Sequence, residues 1–104
     1  AIAIPQFAAY RAKGFDARAE SDCRNAATAE EAYFVDQASY STDTAELPGF
    51  VQSEDVNVAL AAGNSGDIGT SFQITCDSPK GSGLSCAWAS DPAVGEPNMV
   101  CTVP

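Results

Sequence analysis

At 104 residues, 45% of them apolar, the chain has room for one domain around one hydrophobic core and is too apolar to be a disordered acidic tail. It contains no histidine, so the usual general base, proton shuttle and metal ligand are all missing. With 5 Lys+Arg against 14 Asp+Glu, a formal net charge of −9, it also lacks the cations that a duplex nucleic acid demands.

Residues 6–37 hold no proline and one glycine and are rich in Ala, Glu, Gln and Arg, which are strong helix formers. Ala8, Ala12, Phe15, Ala19, Cys23, Ala26, Ala27 and Phe34 recur in steps of three and four, which sets them on one face. The pattern predicts one amphipathic helix over 1–37. At 1.5 Å per residue it is about 55 Å long, more than a head of this size needs, so residues 1–14 are expected to project as an arm. Periodicity alone leaves Ala1-Ile2-Ala3-Ile4 open as strand or helix, and Pro5 either starts the helix or kinks it. Gly14 adds a second soft point.

From residue 38 the composition turns to Ser, Thr, Asp and Gly, with Pro48-Gly49 as a turn signal, so 38–55 reads as a connecting loop. Short β-type runs follow at 56–62, 71–76, 84–89 and 99–103, divided by Gly-, Ser- and Pro-rich stretches. Short turns between successive strands require an antiparallel meander. The expected fold is α+β: a long N-terminal helix packed on a C-terminal antiparallel sheet of about four strands, in one domain spanning 1–104.

Alternation puts Phe72, Ile74 and Cys76 on one face of that sheet, opposite Cys86 and Trp88 if the hairpin centres on Gly81. Cys23, mid-stripe on the helix, points at the same core. The four cysteines, Cys23, Cys76, Cys86 and Cys101, are an even count without a C-x-x-C pair, which disfavours zinc and favours two disulfides in an oxidising compartment. Three pairings are open. The layout favours a helix-to-sheet bridge Cys23–Cys76 with Cys86–Cys101 between strands.

No constellation reads as catalytic. Glu30-Glu31 and Glu54-Asp55 are adjacent carboxylates that point apart, and they are expected on a solvated surface. Gly63-Asn64-Ser65-Gly66-Asp67 with Asp91 is rich in oxygen ligands for calcium but lacks the EF-hand pattern, and reads as a turn. Cysteine nucleophilic chemistry lacks a histidine partner, and there is no haem-attachment motif or N-glycosylation sequon. No cofactor or metal is expected. The aromatic residues Phe7, Tyr10, Phe15, Tyr33 and Phe34 follow helical spacing, which packing explains with less than an electron path does. Charge is uneven: residues 1–24 carry Arg11, Lys13, Arg18 and Arg24 against three acids, whereas the remaining 80 carry Lys80 against eleven. Such asymmetry suggests two surfaces with different jobs, with two readings open: surfaces that meet between copies, or a neutral helix attached to a soluble acidic head.

Ala1-Ile2-Ala3-Ile4-Pro5-Gln6-Phe7, followed by Tyr10-Arg11 and Lys13, resembles the distal end of the N-terminal hydrophobic segment of bacterial type IV pilins. Arg24 to Phe34 resembles the amphipathic half of the helix in short members of that family. The resemblance covers the first third of the chain. It implies a helix embedded against a four-stranded sheet, as in a pilin-like roll. It also implies subunits stacking helix-inward into an extracellular filament, with the pilus assembly machinery as partner and storage in the inner membrane before assembly. The family's helix loosens around its proline on assembly, and Pro5 to Gly14 is the matching stretch.

Pilins open with a longer apolar run carrying a glutamate behind a cleaved leader, and the apolar opening here falls short of the roughly 20 residues that cross a bilayer. The expectation is a subunit lacking most of that segment and reaching a membrane only through it. Ile2, Ile4, Pro5, Phe7, Tyr10 and Phe15 are the residues expected to pack helices between subunits, with Arg11, Lys13 and Arg18 facing the acidic heads of neighbours. Two alternatives differ in what they predict. A minor pilin or pseudopilin of a secretion or DNA-uptake system would form few or no filaments, and a secreted disulfide-bonded binding domain would work as a monomer.

Overall fold

A computed structural model describes residues 4–103, with side chains from Phe7 onward. The readings made on Ile2, and on the side chains of Ile4 and Pro5, lie outside the described residues. A single helix, α1 (Ile4–Gln37), is followed by a 3₁₀ turn at Thr44–Glu46 and four strands: β1 (Asn57–Ala62), β2 (Phe72–Asp77), β3 (Ser85–Ala89) and β4 (Met99–Thr102). The strands pair antiparallel in sequence order. This is the α+β arrangement that the sequence predicts, with strand ends within one residue of expectation. None of the described helices is long and apolar enough to cross a membrane.

The helix packs on β2 and β3 through small side chains. Ala19, Cys23, Ala26 and Ala27 are buried on its face, and their size lets the sheet approach closely. From the sheet come Phe72, Ile74, Cys76 and Cys86, all at most 1% exposed. Alternation along β2 sends Phe72, Ile74 and Cys76 inward and leaves Thr75 and Asp77 in solvent. Cys76 stands opposite Cys86 and Ile74 opposite Trp88, the register of a hairpin centred on Gly81.

Among the described residues the large apolar side chains with at most 1% exposure are Phe72 and Ile74, with Leu47 and Val56 beside them at 4% and 3%. Covalent ties supplement them. Cys23 is bridged to Cys76, which fixes the helix to the sheet, and Cys86 to Cys101, which joins the neighbouring strands β3 and β4. Two disulfides in a chain of this size fit a protein made for an oxidising, extracytoplasmic compartment. A row of rings extends the core under the loop: Phe34 and Tyr40 lie 4.7 Å apart between centroids, and Tyr40 and Phe72 also 4.7 Å.

The helix ends where Ala38 takes a left-handed conformation, φ 56°, with its N–H donating to the Phe34 carbonyl. At its other end the helix outruns the sheet. Residues 7–11, 13 and 14 are exposed, the first buried residues being Asp16 and Ala19, and the molecule measures 57 × 30 × 15 Å. Residues 7–14 therefore run on beyond the sheet.

Candidate assembly surface

Four carboxylates of the head, Asp16, Asp22, Glu30 and Asp91, hold loops. Asp16 accepts from both the N–H and the hydroxyl of Ser82 (3.1 and 2.6 Å), tying the β2–β3 loop to the helix. Asp22 does the same with Ser53 (2.7 and 2.7 Å), tying down the loop that follows the helix. Glu30 accepts from the Ser41 N–H at 2.7 Å where that loop begins. Asp91 accepts from the N–H groups of Asn64 and Ser65, both at 2.9 Å, and so joins the β3–β4 loop to the β1–β2 loop. Those N–H groups hold its pKa below the ordinary carboxylate value.

Two sequence readings are settled by this. Glu30 is not on a solvated surface: it is 0% exposed, its Oε2 has no hydrogen-bond partner, and burial raises its pKa. Only its neighbour Glu31 is exposed, accepting from the Tyr40 hydroxyl at 3.3 Å. The oxygen-rich stretch 63–67 is a turn whose N–H donors grip the Asp91 carboxylate, which is the geometry of an anion seat and not of a cation site. Asp16, Asp22 and Glu30 went unrecognised in the sequence as loop anchors. Asp16 and Glu30 lie three before Ala19 and four after Ala26, in line with the apolar stripe, where a carboxylate has to find a buried donor.

Glu20 Oε1 comes within 3.4 Å of Cys101 Sγ, close to Cys86. Both sulfurs are spent in the Cys86–Cys101 disulfide, so neither is a thiolate ligand.

The arm is different in kind. Phe7 and Tyr10 are 61% and 66% exposed, and they share a helix face with Arg11 and Gly14. A Cβ built on Gly14 meets nothing within 4 Å, so the head imposes no need for glycine there. Among the described residues one ion pair is present, Lys80 with Asp55 at 3.2 Å. Arg11, Lys13, Arg18 and Arg24 thus have no acidic partner among the described residues of a chain with 14 carboxylates. Phe15 and Arg18 stand apart from the free end of the arm. The Arg18 guanidinium lies 4.9 Å from the centroid of the Phe15 ring and the Lys80 ammonium 5.8 Å from it, so both residues serve the root of the arm, against the β2–β3 loop.

On the head, a groove opens between α1 and the sheet. Its floor is Ala27, Phe72 and Trp88, and Arg24, Thr28 and Glu31 line its helix side. A second, less charged groove lies between α1 and the loop, at Ala32, Pro48, Phe50 and Val51. Comparison with protein-family models and with curated proteins finds no match to this chain.

Proposed function

We propose that this protein is a non-catalytic structural subunit of an extracellular filament of the type IV pilin kind. The observation that carries the reading is the arm: one helix leaves a disulfide-tied acidic head with Phe7 and Tyr10 exposed and with Arg11 and Lys13 lacking acidic partners among the described residues. Exposed aromatic side chains beside an arginine are the composition of a protein contact. The Ala1 to Lys13 motif and the long helix on a four-stranded meander agree with this, as does the charge contrast between the arm and the head. Homo-oligomeric assembly, the pilus machinery as partner and an inner-membrane stage before assembly belong to the same proposal.

The test is to shear surface fibres from cells that produce the protein, image them and identify the subunit by mass spectrometry. Abundant fibres built mainly of this chain support the reading. Fibres in which it is a trace component favour the minor-pilin alternative. Recovery only as a soluble monomer, with function intact after removal of the arm, overturns it in favour of a secreted binding domain.

A further inference from the structure

We infer that Arg11, Lys13, Arg18 and Lys80 form a basic collar around the root of the arm, and that its partner is the layer of anionic phosphate headgroups at a bilayer surface. The inference rests on the membrane stage of the filament reading and gives that stage a contact made by the described helix and the β2–β3 loop.

Lys80 is placed by the fold. It is the one base among residues 25–104, which hold eleven acids, yet the β2–β3 loop carries it back to the helix, with its ammonium 5.8 Å from the centroid of the Phe15 ring. The double bond between Asp16 and Ser82 pins that loop there. Lys80 pairs with Asp55 and its side chain is still 59% exposed. Four of the five bases of the chain thus gather at the level of Arg11 to Arg18, a rise of about 10 Å. Within residues 11–18 the one acid is Asp16, buried and engaged by Ser82.

The charges surround the helix. Arg11 and Arg18 stand on one side, Lys13 is about 200° round the axis from Arg11, and Lys80 reaches the helix beside Phe15, with its neighbour Gly81 against Asp16. A partner lying along one flank of the helix, such as the acidic head of another copy, meets one or two of these sectors. An anionic surface that the helix enters meets all of them. The order along the chain matches such an entry: residues 1–10 carry no charged side chain, the collar follows, and most of the acids lie beyond it. Exposed Phe7 and Tyr10 stand on the uncharged side of the collar, where amphipathic rings settle at a membrane interface. Each cation held near anionic lipid strengthens binding about fivefold, an effect that fades within a Debye length.

The test sediments the chain with vesicles of phosphatidylcholine alone and with vesicles that also contain phosphatidylglycerol, at rising NaCl. Arg11→Gln, Lys13→Gln, Arg18→Gln and Lys80→Gln are compared with Arg24→Gln, which removes an exposed base about 20 Å beyond Arg11 on the same helix and so controls for net charge. All five positions are exposed, so melting temperatures should hold. The expected result is binding that needs the anionic lipid and fades with salt, weakened about fivefold by each collar variant and unchanged by Arg24→Gln. Equal binding to both kinds of vesicle, binding to neither, or equal weakening by Arg24→Gln overturns the collar. Collar variants that lose fibres yet keep vesicle binding assign these cations to the acidic heads of neighbouring copies, and overturn it too. None of these outcomes touches the filament reading, because the vesicle test needs no filament. Collar-dependent vesicle binding by a protein that yields no fibres overturns the filament reading and leaves the collar standing.

Discussion

Asp16 and Ser82 lie sixty-six residues apart and are joined twice, through the serine N–H and through its hydroxyl. Gly81 is the residue that makes the approach possible, because a Cβ there would collide with the Asp16 carboxylate and press on the Ser78 carbonyl. Hydrogen bonds to a charged acceptor contribute about 1.5–3 kcal/mol each, and losing one partner leaves the other desolvated. Asp16→Ala should therefore lower unfolding free energy by about 2 kcal/mol in urea titration. Gly81→Ala should cost a similar amount by pushing the carboxylate away, and the double variant should cost clearly less than the two singles together. Strict additivity in that cycle would show that the two residues do not act on one contact.

The two disulfides should differ in their worth. Cys23–Cys76 closes a sequence separation of 53 and Cys86–Cys101 one of 15. Loop-closure entropy assigns about 4 kcal/mol to the first and about 3 kcal/mol to the second. The first also fixes α1 to a sheet whose large apolar side chains with at most 1% exposure, among the described residues, are Phe72 and Ile74. Replacing Cys23 and Cys76 by alanine is expected to lower the melting temperature more than replacing Cys86 and Cys101. The reverse order would mean that the β3–β4 link, and not the helix-to-sheet tie, limits stability.

Buried Glu30 gives the protein an acid-range signature of unusual sign. Burial raises its pKa in the folded chain above the ordinary 4.5, partly offset by the Ser41 N–H, and nearby Glu31 adds to the rise. Between the unfolded and folded values the native state holds a proton that the unfolded chain has released, so stability falls as pH rises through that window and is level above it. Asp91 acts in the opposite sense and lower down, its contribution being lost as pH falls below 3.8 toward its depressed folded value. Glu30→Gln removes the first slope and keeps a carbonyl oxygen for the Ser41 N–H. Melting temperatures taken from about pH 4 upward should move in favour of the variant until Glu30 is ionised in the folded chain, and the difference should then hold level. A constant difference between the two proteins across that range would show that Glu30 does not titrate there.

The elements of this fold were legible because each carries a local signal. The apolar stripe from Ala19 to Ala27 has helical spacing, and Phe72, Ile74 and Cys76 alternate. The Ser78–Gly83 stretch places the hairpin centre at Gly81, which in turn sets Cys76 opposite Cys86. The same facing favoured the bridge Cys23–Cys76 among three pairings that the sequence left open, and the structure has it. What remained hidden depends on partners distant in the chain. Glu30 beside Glu31 looks like a charged surface until Ser41 and Tyr40 fold over it. Asp16 and Asp22 give no hint of Ser82 and Ser53, since a serine in a loop carries no mark of the carboxylate it will meet. The groove was invisible for the same reason: Trp88 and Glu31 belong to elements that only the sheet–helix packing brings side by side.

Phe7 and Tyr10 separate the demands of folding from those of assembly. Both rings are more than half exposed on a helix that has left the sheet behind, and neither belongs to the buried core or to the row of rings Phe34, Tyr40 and Phe72. Surface substitutions away from packed features change stability by less than about 0.5 kcal/mol, and alanine is the better helix former. Phe7→Ala and Tyr10→Ala should therefore leave the melting temperature of the head and both disulfides as they are. If the arm is the contact between copies, each truncation removes an aromatic anchor of a kind worth about 2 kcal/mol or more in an interface, and filament yield should fall sharply. A head that unfolds earlier in these variants would mean that the arm folds back onto its own chain. Unchanged stability together with unchanged assembly would show that the contacts between copies lie elsewhere on the molecule.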